Sequence, residues 1–147
     1  MSFIIKPHEI FYINANEIIA IHIAIMRRYG RNKVYVMKKR IQEIEEHYRN
    51  EEGDIYHKAA VLLIDIIREK PKPFEDGHKR TGWITVVRFL QKNNHYFYDP
   101  SNLSNKEFVQ EEIVNYLIKI QQNQIKKVES VRSWLQRYFV SIRDSPF

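Results

Sequence analysis

The chain has 147 residues, 44% of them hydrophobic, and its 24 basic and 18 acidic side chains leave a net charge of +6. That length and apolar content suit a single domain, expected over residues 1–147, with a core of useful size. Four glycines and five prolines exclude a turn-rich β architecture and long disordered tracts, and the lack of cysteine excludes a disulfide framework or a thiolate metal site. The apolar part of Met1-Ser2-Phe3-Ile4-Ile5-Lys6-Pro7 is too short for a signal peptide. The apolar runs at residues 18–26 and 59–67 are interrupted by His22 and Asp65 and fall well short of the roughly 20 residues of a membrane span. The expectation is a cytoplasmic protein without membrane contact. A positive charge can favour nucleic acid, an acidic protein or a nucleotide, and here it reads as a solvated, lysine-rich surface rather than a nucleic-acid face.

In chain order, Asn14 and Asn16 are candidate N-caps for a helix that carries Ile18, Ile21, Ile25 and Tyr29 on one face, widened by Ile19 and Ile23. Gly30 supplies its stop. His22 within it reads as a half-buried histidine with a local hydrogen bond. Val34-Tyr35-Val36 is a short strand-like run, or an extended piece of a helix–helix connection. Residues 37–49 predict a charged helix with Ile41, Ile44 and Tyr48 inward, followed by a polar break in which Asp54 caps the next helix. That helix, residues 55–70, is apolar nearly all round its middle and so is expected at the centre of the domain. After a proline-rich loop comes a second buried helix with Trp83, Val86, Val87 and Leu90, ending at residue 91 or 92. Asn93-Asn94-His95 is a turn and Tyr96-Phe97-Tyr98 an extended segment that ends at Asp99-Pro100. Ser104 or Asn105 caps a long helix with Phe108, Ile113, Leu117 and Ile120 on its face. A last helix over residues 129–143 presents Val131, Trp134, Leu135 and Tyr138. The fold class is mainly α: a helical bundle with at most a small β-hairpin.

The stretch with the most chemistry is Lys72-Pro73-Phe74-Glu75-Asp76-Gly77-His78-Lys79-Arg80-Thr81-Gly82-Trp83. Pro71 and Pro73 forbid a helix, Gly77 permits backbone that residues with a Cβ avoid, and His78-Lys79-Arg80 open the apolar helical run. A helix start exposes unpaired N–H groups and partial positive charge, which suits phosphate. A lysine and an arginine at that start, with a carboxylate just before it, make a site for a phosphate and its divalent metal.

These residues resemble the signature of the Fic/Doc (fido) family. Phe74, Asp76, Gly77, Lys79 and Arg80 match at the family's spacing, while Lys72 stands at the position of the catalytic histidine and His78 at that of an asparagine. The Glu-Ile-Ile-Ala-Ile-His and Arg-Tyr-Gly segments of the first predicted helix are similar to Doc-type (death-on-curing) members. Trp83 stands where some Fic members carry a second arginine, which also leans toward the Doc type. The resemblance covers roughly residues 9–137 and implies the fido fold, with a short hairpin flap at residues 31–37 that is abbreviated here.

The resemblance further implies Mg2+ with ATP or another nucleoside triphosphate, Asp76 as the metal ligand, backbone N–H groups of Gly77, His78 and Lys79 on the phosphates, and Arg80 as a forked phosphate ligand. The implied reaction is transfer of a phosphoryl group (kinase) or a nucleotidyl group (AMPylation) to a Ser, Thr or Tyr hydroxyl of a target protein. A toxin of a toxin–antitoxin pair, with a separate antitoxin protein as partner, belongs to the same expectation. The catalytic candidates are Lys72 and His78. A lysine with an ordinary pKa of ~10.4 is a cation with no acceptor, so it serves as a base only after a fall of about three units. Held as a cation, Lys72 helps to bind phosphate. His78 is either a displaced base or a structural replacement for the asparagine. The alternative function is a catalytically inactive fido domain that binds nucleotide or protein.

Overall fold

The structure, a computed structural model, describes residues 9–68, 73–74, 77–98 and 106–142, of which residues 106–109 as backbone only. Lys72, Asp76, the Asp99-Pro100 stop, the Ser104 and Asn105 caps and the Phe108 side chain lie outside the described residues. Among the described residues the protein is mainly α-helical, with one small two-stranded antiparallel sheet.

Helix α1 (Ala15–Arg28) starts on a reciprocal capping box: the Asn14 side chain accepts from the Glu17 N–H at 2.9 Å, and the Glu17 carboxylate reaches back to the Asn14 N–H. Its buried face is Ala15, Ile18, His22, Ile25 and Met26, so the stripe runs through His22 and leaves Ile21 half-buried and Tyr29 exposed. Helix α2 (Lys38–Asn50) buries Ile41, Ile44 and Tyr48, as its period demands. The Tyr48 hydroxyl donates to the Ile13 carbonyl, tying α2 to the chain just before α1.

Helix α3 (Ile55–Ile67) is capped by Asp54, whose carboxylate accepts from the His57 N–H at 2.9 Å. Every residue from Lys58 to Ile67 except Asp65 is buried. The helix stops at Ile67 rather than at the expected residue 70. Pro71 has no N–H for the Ile67 carbonyl, and its ring would clash with that carbonyl in a continued helix.

Helix α4 (His78–Lys92) returns antiparallel to α3. Gly82 makes this approach possible: a Cβ there would sit 3.1 Å from the Ile67 side chain and 3.3 Å from those of Ile66 and Leu63. Helix α1 also runs antiparallel to α4. His22 meets Thr81 at one end, while Glu17 pairs with Lys92 (2.7 Å) and the Asn93 amide brackets the Phe11 backbone at the other.

Strand β1 (His95–Phe97) follows a turn closed by Asn94 in the left-handed region at φ 65°. Helices α5 (Lys106–Gln121) and α6 (Val128–Gln136) pack on α3, burying Ile113, Leu117, Ile120, Val131, Trp134 and Leu135. Helix α6 ends at Gln136, not at residue 143, because Phe139–Ser141 forms β2 and pairs with β1 in the register His95–Ser141, Tyr96–Val140, Phe97–Phe139. Trp83, Phe97, Trp134 and Phe139 interlock beneath this sheet, with Trp83 within 6.0 Å of each of the other three rings. That aromatic cluster makes strand pairing more favourable than further helix for residues that are aromatic and β-branched.

Asp54 has a second role, since Arg132 of α6 grips its carboxylate with two nitrogens at 3.2 and 2.5 Å. The Arg132 hydrogen bond is the main cause that holds the Asp54 carboxyl below its usual range, against a smaller opposing effect of burial. A depressed folded pKa contributes stability that is present above the unfolded value of ~3.9 and is lost as pH falls through the folded one. Asp54→Ala should therefore cost about 1–2 kcal/mol near neutral pH, and the gap to the wild type should narrow on acidification. Urea denaturation across that pH range checks both the size and the sign.

Candidate functional site

The site is the loop-to-helix junction at the start of α4. Its loop is held from the α2 side by an antiparallel bridge between Val36 and Phe74 and by the Met37 N–H donating to the Pro73 carbonyl at 2.9 Å. Residues 31–37 are thus a helix–helix connection whose extended end pairs with the proline-rich loop at Pro73 and Phe74. From the α1 side, the His22 ring stacks on Phe74 with centroids 3.8 Å apart and planes 12° off parallel. Both side chains are buried, at 1% exposure each. The expected half-buried His22 with a local bond is corrected here: its Nδ1 pairs at 2.9 Å with Thr81 Oγ1, 59 residues away and itself fully buried.

Gly77 carries the turn. It has φ 79° and ψ 17°, left-handed backbone that glycine adopts without strain, and it is the N-cap of α4. A Cβ at Gly77 would lie 2.8 Å from Met26 Sδ and 3.5 Å from His22 Cε1, so α1 abuts the turn directly. As a glycine it has no side chain to bond the first N–H groups of the helix, and the first turn contains no acidic residue.

The three basic residues that follow take different positions. His78 points inward: it is 5% exposed and its ring is tilted against Phe74 at 5.8 Å. That position suits a packing replacement for another side chain, whereas a general base must come within hydrogen-bond reach of a substrate hydroxyl. Lys79 is half-buried and its ammonium donates to Gln121 Oε1 at 2.8 Å, at the end of α5. Arg80 is exposed, and its guanidinium lies over the Tyr29 ring with Cζ 4.1 Å from the centroid. So the described part of the predicted set, Gly77, His78, Lys79 and Arg80, converges on one helix turn, with His78 facing the core and Arg80 facing solvent.

Reading the sequence alone missed the contribution of α1. His22, Met26 and Tyr29 fall at intervals of four and three, one stripe of a helix, and each touches the site: His22 on Phe74 and Thr81, Met26 on Gly77, Tyr29 on Arg80. The signal available was that spacing, with a histidine inside an otherwise apolar face.

Among the described residues no group of three or more His, Asp or Glu is placed to hold a metal ion, and no helix is long and apolar enough to cross a membrane. No protein-family model matches the chain, and comparison with curated proteins gives no significant match.

Gly77→Ala should destabilise the protein by about 1–2 kcal/mol, because an L-residue is strained in left-handed backbone. Gly77→Asn relieves the backbone strain but still places a Cβ 2.8 Å from Met26 Sδ, and so should also fall below wild-type stability. Chemical denaturation of the two variants beside the wild type measures the difference.

Proposed function

We propose that the start of α4 binds the phosphates of a nucleoside triphosphate, and that the chain is a Doc-type fido protein. In this reading it transfers a phosphoryl or nucleotidyl group to a protein hydroxyl, as a toxin countered by a separate antitoxin. The observation that carries the phosphate site is the charge arrangement of the first turn. Positive side chains at a helix N-terminus oppose the helix dipole. Helices α1 and α3 follow the ordinary rule, with Asn14 and Glu17 at one start and Asp54 at the other. Helices α2 and α4 reverse it, with Lys38, Lys39 and Arg40 at one start and Lys79 and Arg80 at the other and no acidic residue in either first turn, but of the two only α4 starts on a left-handed glycine that follows a loop carrying Asp76. A bound anion eases the conflict, since it meets the N–H groups of the first turn and the exposed Arg80 guanidinium.

The magnesium ion of this reading would be held by Asp76 together with phosphate oxygens, the hard oxygen set that it prefers. Bound there, it neutralises phosphate charge. Backbone N–H groups of Gly77, His78 and Lys79 orient the phosphates, and Arg80 supplies a planar fork of donors. Lys72, as a cation, adds a point charge on the same ligand.

The burial of His78 and the lysine at position 72 favour a second reading of the chemistry, in which the site binds nucleotide without turning it over. An ammonium has no lone pair with which to take the proton of an attacking hydroxyl.

Calorimetric titration with magnesium and ATP tests the site. Asp76→Ala and Arg80→Ala should each weaken binding, and binding unchanged in both variants would exclude the phosphate reading. Label transfer from ATP, labelled at the α- or γ-phosphate, to candidate proteins tests the chemistry. Lys72→His should raise transfer by about 10²–10⁴-fold, the usual worth of a general base. A Lys72→Ala variant that loses all transfer while fold and binding persist would instead make Lys72 catalytic.

A further inference from the structure

Three side chains of α1 meet three successive parts of the α4 start, and the last of these contacts is unlike the other two. His22 and Met26 are buried and act as packing. Tyr29 is 57% exposed, so burial of its ring does not explain its position. The ring's neighbour is the guanidinium of Arg80, with Cζ 4.1 Å from the ring centroid. This is close, face-on cation–π geometry.

Tyr29 is itself firmly placed. It is the C-cap of α1, and the helix ends there in a Schellman motif. The Arg31 N–H donates to the Met26 carbonyl at 3.0 Å, and the Gly30 N–H to the Arg27 carbonyl at 3.0 Å. Gly30 takes the left-handed conformation that the motif needs, φ 78°. The same Met26 that receives this closing bond packs its sulfur against Gly77. The backbone beneath the Tyr29 ring and the glycine that starts α4 are therefore set by one residue.

An exposed arginine samples many rotamers, and immobilising it on a ligand has an entropic cost. Contact with a ring on a fixed stretch of backbone narrows that search in advance. It also leaves recognition intact, because a cation–π contact draws on the charge of the guanidinium, whose five N–H donors remain for a ligand. From these contacts we infer that Tyr29 is a positioning residue that holds the Arg80 guanidinium ready for a phosphate group. The inference rests on the phosphate-site reading above and adds to it the element that orients the arginine. Tyr29 acts through Arg80 and not on the ligand.

The test is calorimetric titration with two probes, magnesium ATP and magnesium pyrophosphate, the second of which has no nucleobase to stack on a ring. The proteins are the wild type, Tyr29→Phe, Tyr29→Leu, Arg80→Ala and the Tyr29→Leu/Arg80→Ala double variant, with thermal unfolding recorded for each. Tyr29→Phe keeps the aromatic face and should bind both probes within about twofold of the wild type. Tyr29→Leu keeps bulk without that face, and should bind both about two- to fivefold more weakly, the worth of an exposed cation–π contact. Arg80→Ala should lose about tenfold or more. In that background, Tyr29→Leu should have no further effect. If Tyr29→Leu binds pyrophosphate as the wild type does while Arg80→Ala binds weakly, the inference fails and the phosphate site stands. The inference also fails if Tyr29→Leu weakens ATP alone, or weakens binding equally with and without Arg80, because the ring then serves the ligand directly. If Arg80→Ala binds both probes like the wild type, or the wild type binds neither, the phosphate-site reading fails and the inference with it.

Discussion

Helix α3 has no face that water can wet, and the rest of the molecule is arranged to cover it. Its residues from Ala59 to Ile67, Asp65 apart, are buried, and α2, α4, α5 and α6 all pack on it. Lys58 is also buried, yet its ammonium is not stranded. It donates to the carbonyls of Tyr48, Arg49 and Glu51 at 3.4, 2.8 and 2.6 Å and so closes the end of α2. A buried cation is tolerated when carbonyls take the place of water, and here the same contact fixes α2 against α3. Gly82 supplies the matching constraint on the other side, letting α4 lie close enough to reach Ile66 and Ile67. The start of α4 is held beside the end of α3 by core packing, and the loop between them must turn back within that short distance.

Helix α1 converts this constraint into a shaped site. It crosses the open side of α4 and presses on the turn at Phe74, Gly77 and Thr81. The pairing of Val36 with Phe74 holds the loop from the opposite direction. A rigid frame of this kind is what a binding site needs if its backbone N–H groups are to do the recognition. The cations are anchored as well, Lys79 on Gln121 and Arg80 on Tyr29. Unfavourable charge at a helix start is thus concentrated on side chains whose directions are already restricted.

Much of the fold is legible in the sequence because local signals and burial agree there. Asn14 with Glu17, Asp54, and the Ile41-Ile44-Tyr48 face each carry a local mechanism, and each is realised as expected. The misses occur where a distant partner decides. Residues 139–141 have a helical neighbour and no turn signal, yet become a strand because β1 offers them an edge. His22 reads locally as a half-exposed residue, but its hydroxyl partner and its stacking ring come from beyond α3. For the site, the motif residues converge on one turn because they are contiguous in sequence. The opposite orientations of His78 and Arg80 follow from helix phase, with His78 joining Thr81, Gly82 and Thr85 on the buried stripe. That phase could have been computed from the sequence. The support from α1 could not, since it depends on the antiparallel packing of α1 on α4.

The arrangement separates binding from chemistry in a way that bears on the proposed function. Backbone N–H groups and an oriented guanidinium recognise phosphate whatever side chain stands at position 72 or 78. A lysine at position 72 and an imidazole at 78 therefore leave the phosphate cradle of this reading unchanged. Proton transfer has no such tolerance, because it requires an acceptor lone pair at one point in space. His78 brings an imidazole into the motif but lies against Phe74 in the core, the same ring on which His22 stacks. To move that imidazole toward a ligand, its buried contact with Phe74 would have to open. Within the proposed reading, the same packing that preserves the phosphate cradle is what keeps His78 from serving as the base.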